Sequence, residues 1–531
     1  MLTFKGMLLI LSALLTTTPF LLLLWLFIVY FRDEKGFRKY PTQNWASGLT
    51  PLAYGWECGR PHRDIHSKRL HEALQKHSVI RIAPNWLAFG RSQAARDIYG
   101  YTSKCVKAAP YDLLSDGGAN LNNISDKSFH SSRRRMVASS YAPKNIQEWE
   151  PKVAASVADL MAQMDARCTG RQGPESFDAV HWIFLFSVET VIKIMLSKDV
   201  FFLRNGTDHV YFEDAEGRPQ AVRTVYNSHA SQRAAVTVIW DIPRFALWTR
   251  LTKLISKRYS HNWSAGPKFH AAMEALTKER MERHANGEVL NDLFQPMMED
   301  KYGEASVITF KDRIAEVEQA VGAGTDGPAV SISMTLYYLV RNPHAFAKLR
   351  QELDITLSPE DHVAPWQKVK GLPYLRACID EAMRLTPPVA TELIRRTPPG
   401  HGVMIDGYLV PPNTNVSIAA YTSHRDPQIF PEPETYDPDR WMAKGSDSLR
   451  NMLGVFIPFS AGTRGCIGRN VSIMMQSVCV ATLVYHYDFA LPHKTWEMEF
   501  EEWFNLWPIR LPLRVWRRDS ASFPQTSVMR T

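Results

Sequence analysis

The pattern of hydrophobic and polar positions predicts a chain that is mostly helical, with a small β region. Along seven long segments, apolar residues recur every three or four positions, as one face of an α-helix requires. These segments are 126–140, 146–167, 176–196, 268–283, 309–341, 343–356 and 372–385. Strand-like runs are few and cluster at 79–89 and 395–416, where Asp406-Gly407 marks a hairpin turn. Residues 199–218, rich in Gly, Asp and Asn, are predicted to form an exposed loop.

The N-terminus carries a different pattern, because residues 7–31 contain no charged side chain. A helix of that length rises 1.5 Å per residue and can cross a hydrocarbon core of roughly 30 Å with some tilt. A cleaved signal peptide is the alternative, but the run ends in Arg32-Asp33-Glu34 rather than in the small residues of a cleavage site. The pattern therefore favours an uncleaved transmembrane anchor.

Basic residues on the two sides of this run predict its orientation. Only Lys5 precedes the run, whereas Arg32, Lys35, Arg38 and Lys39 follow it. Since positively charged flanks stay on the cytosolic side, the positive-inside rule places everything after residue 31 in the cytosol.

Composition and spacing organise the remainder of the 531 residues. The predicted parts are an anchor at 7–31, a connector rich in Pro and Gly at 32–61, one large body at 62–515 and a polar tail at 516–531. The net charge of +8 is spread along the chain, so nucleic-acid binding is not expected. Six scattered cysteines lack the spacing of a disulfide framework and indicate a reducing compartment.

The most informative stretch surrounds Cys466 and reads Phe-Ser-Ala-Gly-Thr-Arg-Gly-Cys-Ile-Gly-Arg-Asn from residue 459 to residue 470. An apolar run at 471–485 follows it and predicts a buried helix, so the cysteine should stand at a helix N-terminus. Free amides and the helix dipole at such a place stabilise a thiolate. Glycines let a planar ligand approach the backbone, and Arg464 suits a carboxylate. A lone Gly-Cys pair would instead indicate a structural cysteine beside a tight turn.

The full pattern Phe-x-x-Gly-x-Arg-x-Cys-x-Gly resembles the haem-binding loop of the cytochrome P450 family. The resemblance implies the P450 fold, a haem b cofactor, Cys466 as the axial thiolate ligand of its iron, and Arg464 beside a haem propionate. It spans nearly the whole body and is closest to microsomal fungal members that tailor secondary metabolites.

Two further motifs fit this resemblance in order and spacing. Glu381 and Arg384 lie three residues apart on a predicted helix, and Arg440 stands in a segment similar to the family's Pro-x-Arg-aromatic motif. The resemblance implies that these three side chains form a buried structural triad that supports the haem side of the fold.

Propionate contacts are implied at two other places. The run from His130 to Arg135 resembles the family's Trp-x-x-x-Arg helix, with His130 in place of Trp and Arg134 as the matching arginine. Arg133 and Arg135 are expected on a basic solvated face. A strand carries Arg395-Arg396, of which alternation allows only one to point inward, and Arg396 is the predicted contact.

The segment Ala-Gly-Thr-Asp-Gly at 323–327 resembles the family's Ala-Gly-x-Asp-Thr motif, with one departure. Gly327 stands where the family has the threonine that helps deliver protons to bound oxygen. Asp326 and Gly327 are therefore the predicted catalytic positions. Two interpretations stay open: Gly327-Pro328 is a helix kink packed against haem, or the proton path is altered.

Together with the apolar N-terminal run, the resemblance implies a membrane-anchored P450 monooxygenase that inserts one oxygen atom from O2 into a lipophilic small molecule. The resemblance implies electrons from NADPH through a cytochrome P450 reductase, with cytochrome b5 as a further candidate partner, and an endoplasmic reticulum location. An O2-independent rearrangement or dehydration is the alternative that Gly327 motivates, and a haem sensor without turnover is a third. A cysteine hydrolase fits worst, because no partner His or Asp stands in a recognisable motif.

Overall fold

The computed structural model describes residues 17, 20–21, 23–59, 65–113, 117–168, 176–299 and 302–518. Most of the first half of the predicted anchor and most of the predicted tail, residues 519–531, lie outside the described residues.

The predominance of helices expected from the apolar periodicity is confirmed. The helices are α1 (Leu23–Arg32), α2 (Leu52–Cys58), α3 (His66–Leu74), α4 (Gln93–Tyr99), α5 (Lys127–Val137), α6 (Glu150–Ala166), α7 (Ala179–Leu196), α8 (Phe202–Asn205), α9 (Thr224–Val238), α10 (Phe245–Ile255), α11 (Lys257–Ala285), α12 (Gln295–Met298), α13 (Phe310–Arg341), α14 (Pro343–Thr356), α15 (Trp366–Val369), α16 (Pro373–Leu385), α17 (Ala420–Ser423), α18 (Asp447–Val455) and α19 (Arg469–His486).

The strands are short and belong to several small sheets. They are β1 (Val79–Ala83), β2 (Trp86–Phe89), β3 (Val106–Lys107), β4 (Phe177–Asp178), β5 (His209–Glu213), β6 (Pro219–Arg223), β7 (Arg395–Arg396), β8 (Val403–Ile405), β9 (Tyr408–Val410), β10 (Asn415–Ser417), β11 (Tyr487–Ala490), β12 (Phe500–Glu502), β13 (Leu506–Pro508) and β14 (Pro512–Arg517). The largest sheet has the order β1-β2-β10-β7-β3, in which only the β2–β10 pair is parallel.

Two hairpins test the turn predictions. Asp406 and Gly407 both have positive φ angles, 48° and 81°, and join β8 to β9 as the Asp-Gly pair predicts. The expected loop at 199–218 is wrong, because β5 and β6 pair along five residues each and form a hairpin in front of α9. Only one residue of each strand is buried, so the strands lack the apolar alternation that would have revealed them.

The long helix α13 runs through the core and packs against α7, α16, α19 and α11. Among the described residues, α7 is the one helix that is long and apolar enough to cross a membrane, but 94% of its apolar window is buried. A helix buried to that extent is a core helix of the body.

The N-terminal helix α1 is the described part of the predicted anchor. Its apolar side chains are exposed along the helix, with Trp25 55% and Phe31 59% exposed, which is compatible with a lipid-facing segment. The connector that follows is hydrogen-bonded to the body through Lys35. Lys35 Nζ donates to Asn85 Oδ1 at 2.7 Å and to the carbonyl oxygen of Asn413 at 2.8 Å, close to the ends of β2 and β10.

Candidate functional site

The loop before α19 presents Cys466 on a tightly hydrogen-bonded turn. The Cys466 amide donates to the carbonyl oxygen of Phe459 at 2.9 Å, and Gly465 N donates to Gly462 O at 3.0 Å. Gly462 has a φ of +64°, and a Cβ atom there would lie 2.4 Å from the carbonyl oxygen of Tyr99. Only glycine fits at that position, because both the φ angle and the contact with α4 exclude a side chain.

Burial and the groups around Cys466 have opposite effects on the pKa of its thiol. Burial raises the pKa of the Cys466 thiol, whereas the backbone amides of Gly468 and Arg469 and the charge of Arg134 lower it. Dense protein surrounds this residue, yet it retains substantial accessible surface. A coordinating metal ion would deprotonate such a thiol outright.

Basic side chains from four segments of the chain converge near this loop. Burial, together with the charges of Arg395 and Arg464, places the pKa of Lys107 well below its usual value. Burial, followed by the charges of Arg464, Arg134 and Lys107, lowers the pKa of His130 to about 4. We call Lys107, Arg134, Arg395 and Arg464 the cationic cluster. His130 lies beside it as a neutral imidazole, because a pKa of about 4 leaves the ring uncharged at neutral pH.

The cationic cluster is only partly neutralised by the described residues. Burial, then Arg395, lowers the pKa of Arg464 to about 10, and Asp126 opposes this shift. Asp112 has the same opposing effect on Lys107. Like charges buried side by side are costly unless anions lie between them. The cationic cluster therefore suits a ligand that carries carboxylates.

The structure corrects the prediction of which arginine on β7 points inward, because Arg395 does so and the predicted Arg396 does not. The pairing of β3 with β7 sets Lys107 directly opposite Arg395, and the Arg395 side chain lies 5.2 Å from the ring centroid of Tyr99. Arg396 points to the other face of the strand, where it lies close enough to Lys35 to help lower the pKa of that lysine, after burial. Arg395 thus belongs to the cationic cluster, and the predicted Arg396 does not.

The helix α5 divides its three arginines between different environments. Arg134 donates from Nη1 to the carbonyl oxygen of Gly465 at 2.8 Å, directly before Cys466. Arg135 is exposed, as predicted. The expectation of a solvated Arg133 is wrong: its side chain is 4% exposed and pairs with Asp312 of α13 at 2.7 Å.

The predicted triad residues are brought together in a network in which Glu381 and Arg384 are fully buried and the side chain of Arg440 is 7% exposed. Arg384 donates to both carboxylate oxygens of Glu381, at 2.8 and 2.9 Å, and Arg440 Nε donates to Glu381 Oε1 at 3.0 Å. Arg384 also donates to the carbonyl oxygen of His424, whose ring Nε2 accepts the amide proton of Ile457. The network thereby reaches the segment that leads into the cysteine loop.

On α13 the carboxylate of Asp326 is buried and fully engaged. Its Oδ1 accepts from His229 Nε2 of α9 at 2.8 Å, and its Oδ2 accepts from Asn505 Nδ2 at 2.5 Å and from Trp507 Nε1 at 3.1 Å. Asp326 therefore joins α13 to α9 and to the C-terminal hairpin of β12 and β13.

Gly327 has open space where a side chain would stand. A Cβ atom placed there meets nothing within 4 Å, whereas one on Gly324 would lie 2.9 Å from a methyl group of Val191. The helix continues through Gly327 and Pro328 without interruption. A ligand atom can therefore lie against α13 at Gly327.

Sequence reasoning missed several of these residues. Lys107, Asn505 and Trp507 stand in no motif, and only the tertiary pairing brings them to the site. His229 lies within a helix whose pattern gave no sign of a polar contact. The two-residue alternation of strands would have identified Arg395 only if the inward face of β7 had been known.

The assembled side chains fit a haem. A thiol supported by two amides suits an iron ligand, the cationic cluster suits two propionates, and the open wall at Gly327 leaves space on α13. The described residues hold no cluster of three or more His, Cys, Asp or Glu side chains that would suit a bare metal ion.

Comparison with known proteins agrees with this fit. The model of the cytochrome P450 family matches residues 92–513. The chain is 27% identical to the cytochrome P450 monooxygenase poxM of Penicillium oxalicum over 463 residues, which cover 86% of this chain and 84% of that protein. It is 26% identical to the benzoate 4-monooxygenase bphA of Aspergillus niger over 493 residues, covering 90% and 93% of the two chains.

A solved structure shows the same fold. The crystal structure of the cytochrome P450DA heme domain superposes with a TM-score of 0.68 at 15% identity, covering 86% of this chain and 93% of that one. The predicted fold and the predicted enzyme class, a cytochrome P450 monooxygenase, are confirmed. Because the family model covers most of the body and includes the cysteine loop, the chain belongs to the cytochrome P450 family.

Proposed function

We propose that this protein is a haem-thiolate monooxygenase that oxidises a lipophilic small molecule, with residues 62–515 as its catalytic domain. The observation that carries the proposal is Cys466, held by backbone amides at the start of α19 and flanked by the cationic cluster. Relatives that share the sequence at 24–28% identity are named monooxygenases and come from fungi.

Each part of the site has a role in holding the cofactor. Cys466 would ligate the iron, and the amides of Gly468 and Arg469 would hold negative charge on its sulfur. The cationic cluster would bind the two propionates. The Glu381–Arg384–Arg440 triad would keep the cysteine loop in place. When bound, haem supplies the activation of O2 with electrons delivered from outside, and the thiolate favours cleavage of the O–O bond.

Proton supply falls to residues of α13. Asp326 is the titratable side chain next to Gly327, where the family's threonine hydroxyl is replaced by open space. An ordered water or a hydroxyl of the substrate can stand in that space at little enthalpic cost. The missing alcohol therefore ties proton delivery to how the substrate fills the site.

The remaining proposals concern the electron donors, the cellular location and the metabolic role of the protein. We propose electrons from NADPH through a cytochrome P450 reductase, with cytochrome b5 as a second donor, and a single anchor in the endoplasmic reticulum membrane with the body in the cytosol. The exposed apolar helix α1 and its basic flank support the anchor. The tailoring of a secondary metabolite is proposed from similarity to the fungal relatives alone.

A spectrum tests the cofactor assignment. Reduced, carbon-monoxide-bound protein is expected to show the red-shifted Soret band of a thiolate-ligated haem, and Cys466→Ser is expected to lose it. The matched control is Cys479→Ser, which removes a buried thiol from the same helix that follows the loop. A Cys466→Ser protein with the band and full haem content would contradict the assignment.

Turnover tests the reaction. The protein would be produced with a reductase in a host that is fed lipophilic compounds, and products would be identified by mass spectrometry. Each product molecule should consume one NADPH and one O2 and gain one oxygen atom from 18O2. Product formed without NADPH, O2 or label would instead support the rearrangement or dehydration that Gly327 suggests.

A further inference from the structure

The carboxylate of Asp326 has three donors, and only one of them, an imidazole, can both release and bind a proton. Asn505 and Trp507 donate to Oδ2 through an amide and an indole, neither of which can release a proton under physiological conditions. The donor to Oδ1 is the imidazole of His229, at 2.8 Å. Histidine is the side chain whose charge changes most readily in this pH range.

The imidazole is held in one orientation by its neighbours. The His229 ring stacks on Trp507 with a centroid distance of 3.8 Å, and Phe184 of α7 meets it edge-on at 5.6 Å. The side chain is nevertheless 12% exposed, against 5% for Asp326. His229 is therefore the more accessible member of the pair, and Asp326 is the more deeply buried one.

The other charged groups around His229 are paired with one another. On α9, Arg233 donates twice to Glu501 of β12, at 2.5 and 2.7 Å, and its guanidinium lies 5.4 Å from the ring centroid of Trp507. On the α7 side the neighbour is Phe184, which carries no charge. Among the described contacts, Asp326 of α13 is thus the charged group that bonds directly to the imidazole.

We propose that His229 is the group through which Asp326 exchanges protons with solvent, so that α9 controls proton supply to the reaction. This inference rests on the proposed monooxygenase function, which consumes protons at each turnover. His229 is a positioning residue, because it acts through Asp326. The C-terminal hairpin holds the second carboxylate oxygen while the first one receives the proton.

The proton transfer balances without any further reactant. The Nε2–H bond of the imidazolium breaks and an O–H bond forms at Asp326 Oδ1, which leaves a neutral imidazole beside a neutral carboxylic acid. The imidazole keeps its proton on Nδ1, and a water returns a proton to the vacated Nε2. When Asp326 later gives its proton toward the open space at Gly327, it becomes a carboxylate again and the cycle repeats.

His229→Gln tests the inference, because glutamine can keep a donor to Asp326 but cannot carry a proton. In the full-length holoenzyme with its reductase, we expect product formed per NADPH to fall about tenfold or more and peroxide to rise, as for loss of a general acid. The pH dependence of coupled turnover should also differ from that of wild type, because glutamine removes the one donor to Asp326 that can exchange a proton. The matched control, His261→Gln, alters an imidazole that bonds Tyr226 and should change neither result.

Two measurements distinguish a role of His229 in proton supply from a purely structural role. Substrate-induced spectral shifts and thermal stability of His229→Gln should stay close to those of wild type, whereas a structural role would disturb both. Carboxylate infrared bands, assigned by Asp326→Asn, should change with pH in wild type and lose that change in His229→Gln. A His229→Gln enzyme with wild-type coupling and pH profile would overturn the inference. A wild-type enzyme that uses neither NADPH nor O2 would overturn the proposed function instead, while the infrared result would still stand.

Discussion

At the scale of single residues, the adjacent arginines of β7 lie in different environments. Arg395 joins the buried cationic cluster, while Arg396 lies on the opposite face of β7 near Lys35. Since Lys107 stands directly opposite Arg395, two like charges share one face of the sheet, an arrangement that costs stability without an anion. The binding of a carboxylate ligand should therefore depend on one arginine and not on the other.

Arg395→Gln should weaken haem binding by about tenfold to a hundredfold, the range expected for losing a hydrogen bond to a charged group. Arg396→Gln is the matched control and should bind haem as wild type does. Haem content per protein and the rate of haem loss to an acceptor protein measure the effect. Equal loss in the two variants would show that the face of the strand does not decide the contact.

Gly327 offers a second test at this scale, because a side chain fits there without a clash. Gly327→Thr should lower the ratio of peroxide to product, since its hydroxyl can hold the water that delivers protons beside Asp326. Substrate affinity should change less than this ratio. Gly327→Val has the same shape without the hydroxyl and serves as control. Improved coupling in both variants would indicate filled space rather than proton delivery.

At the scale of elements, the buried triad links α16 to the turn around Arg440 and, through His424, to the segment before the cysteine loop. Trp441 adds a further donor to Glu381, from Nε1 to Oε2 at 2.9 Å. A buried charge that satisfies several partners is costly to remove, because its partners stay behind unpaired.

Glu381→Gln should lower the free energy of unfolding by about 3–5 kcal/mol, since Arg384 and Arg440 would stay buried without a countercharge. Haem content should fall with it. Arg450→Ala removes a partner from an exposed pair with Asp447 and should change stability by less than about 0.5 kcal/mol. Denaturant unfolding followed by haem absorbance measures both, and a stable, haem-loaded Glu381→Gln protein would argue against the structural role.

At the scale of the whole molecule, charge and apolar surface are distributed unevenly. The helix α10 exposes an apolar face, with Leu254 82% and Ile255 80% exposed, although it lies far along the chain from α1. Three basic side chains are exposed at another place in the chain: Arg469 directly after the cysteine loop, Arg135 on α5 and Lys444 after the turn around Arg440. The first surface suits a membrane, and the second suits an acidic redox partner.

Deletion of residues 1–31 should release the protein from membranes only in part, because α10 would still bind lipid. Adding Leu254→Glu and Ile255→Glu to the deletion should complete the release, whereas adding Val289→Glu, at a residue that is 97% exposed elsewhere, should not. Flotation with liposomes measures the bound fraction. Complete solubility of the simple deletion would exclude the second contact.

The rate of haem reduction by the reductase should fall steeply with salt, because exposed charges lose most of their attraction beyond about 8 Å at physiological ionic strength. Arg135→Glu and Lys444→Glu should slow reduction and weaken its salt dependence, whereas Lys278→Glu on α11 should not. Stopped-flow absorbance gives the rates. A rate that does not vary with salt would rule out electrostatic docking.

The sequence by itself determined most of the long helices and the local turn that carries Cys466. Periodicity located α13 and α16 because a buried helix face repeats every 3.6 residues, and glycines with a cysteine at fixed spacing suffice to shape one local turn. Local motifs of this kind are complete within about ten residues. The match of residues 92–513 to the cytochrome P450 family agrees with what they predicted.

Only the tertiary structure decided which polar side chains meet. Alternation along β7 says that Arg395 and Arg396 point apart, but the pairing with β3 decides which one points inward. In the same way, Arg133 is buried because Asp312 lies opposite it, and Asp326 is bonded to His229. Such contacts join residues that lie about a hundred positions apart or more. The local sequence pattern around either residue does not indicate that its partner lies close in space.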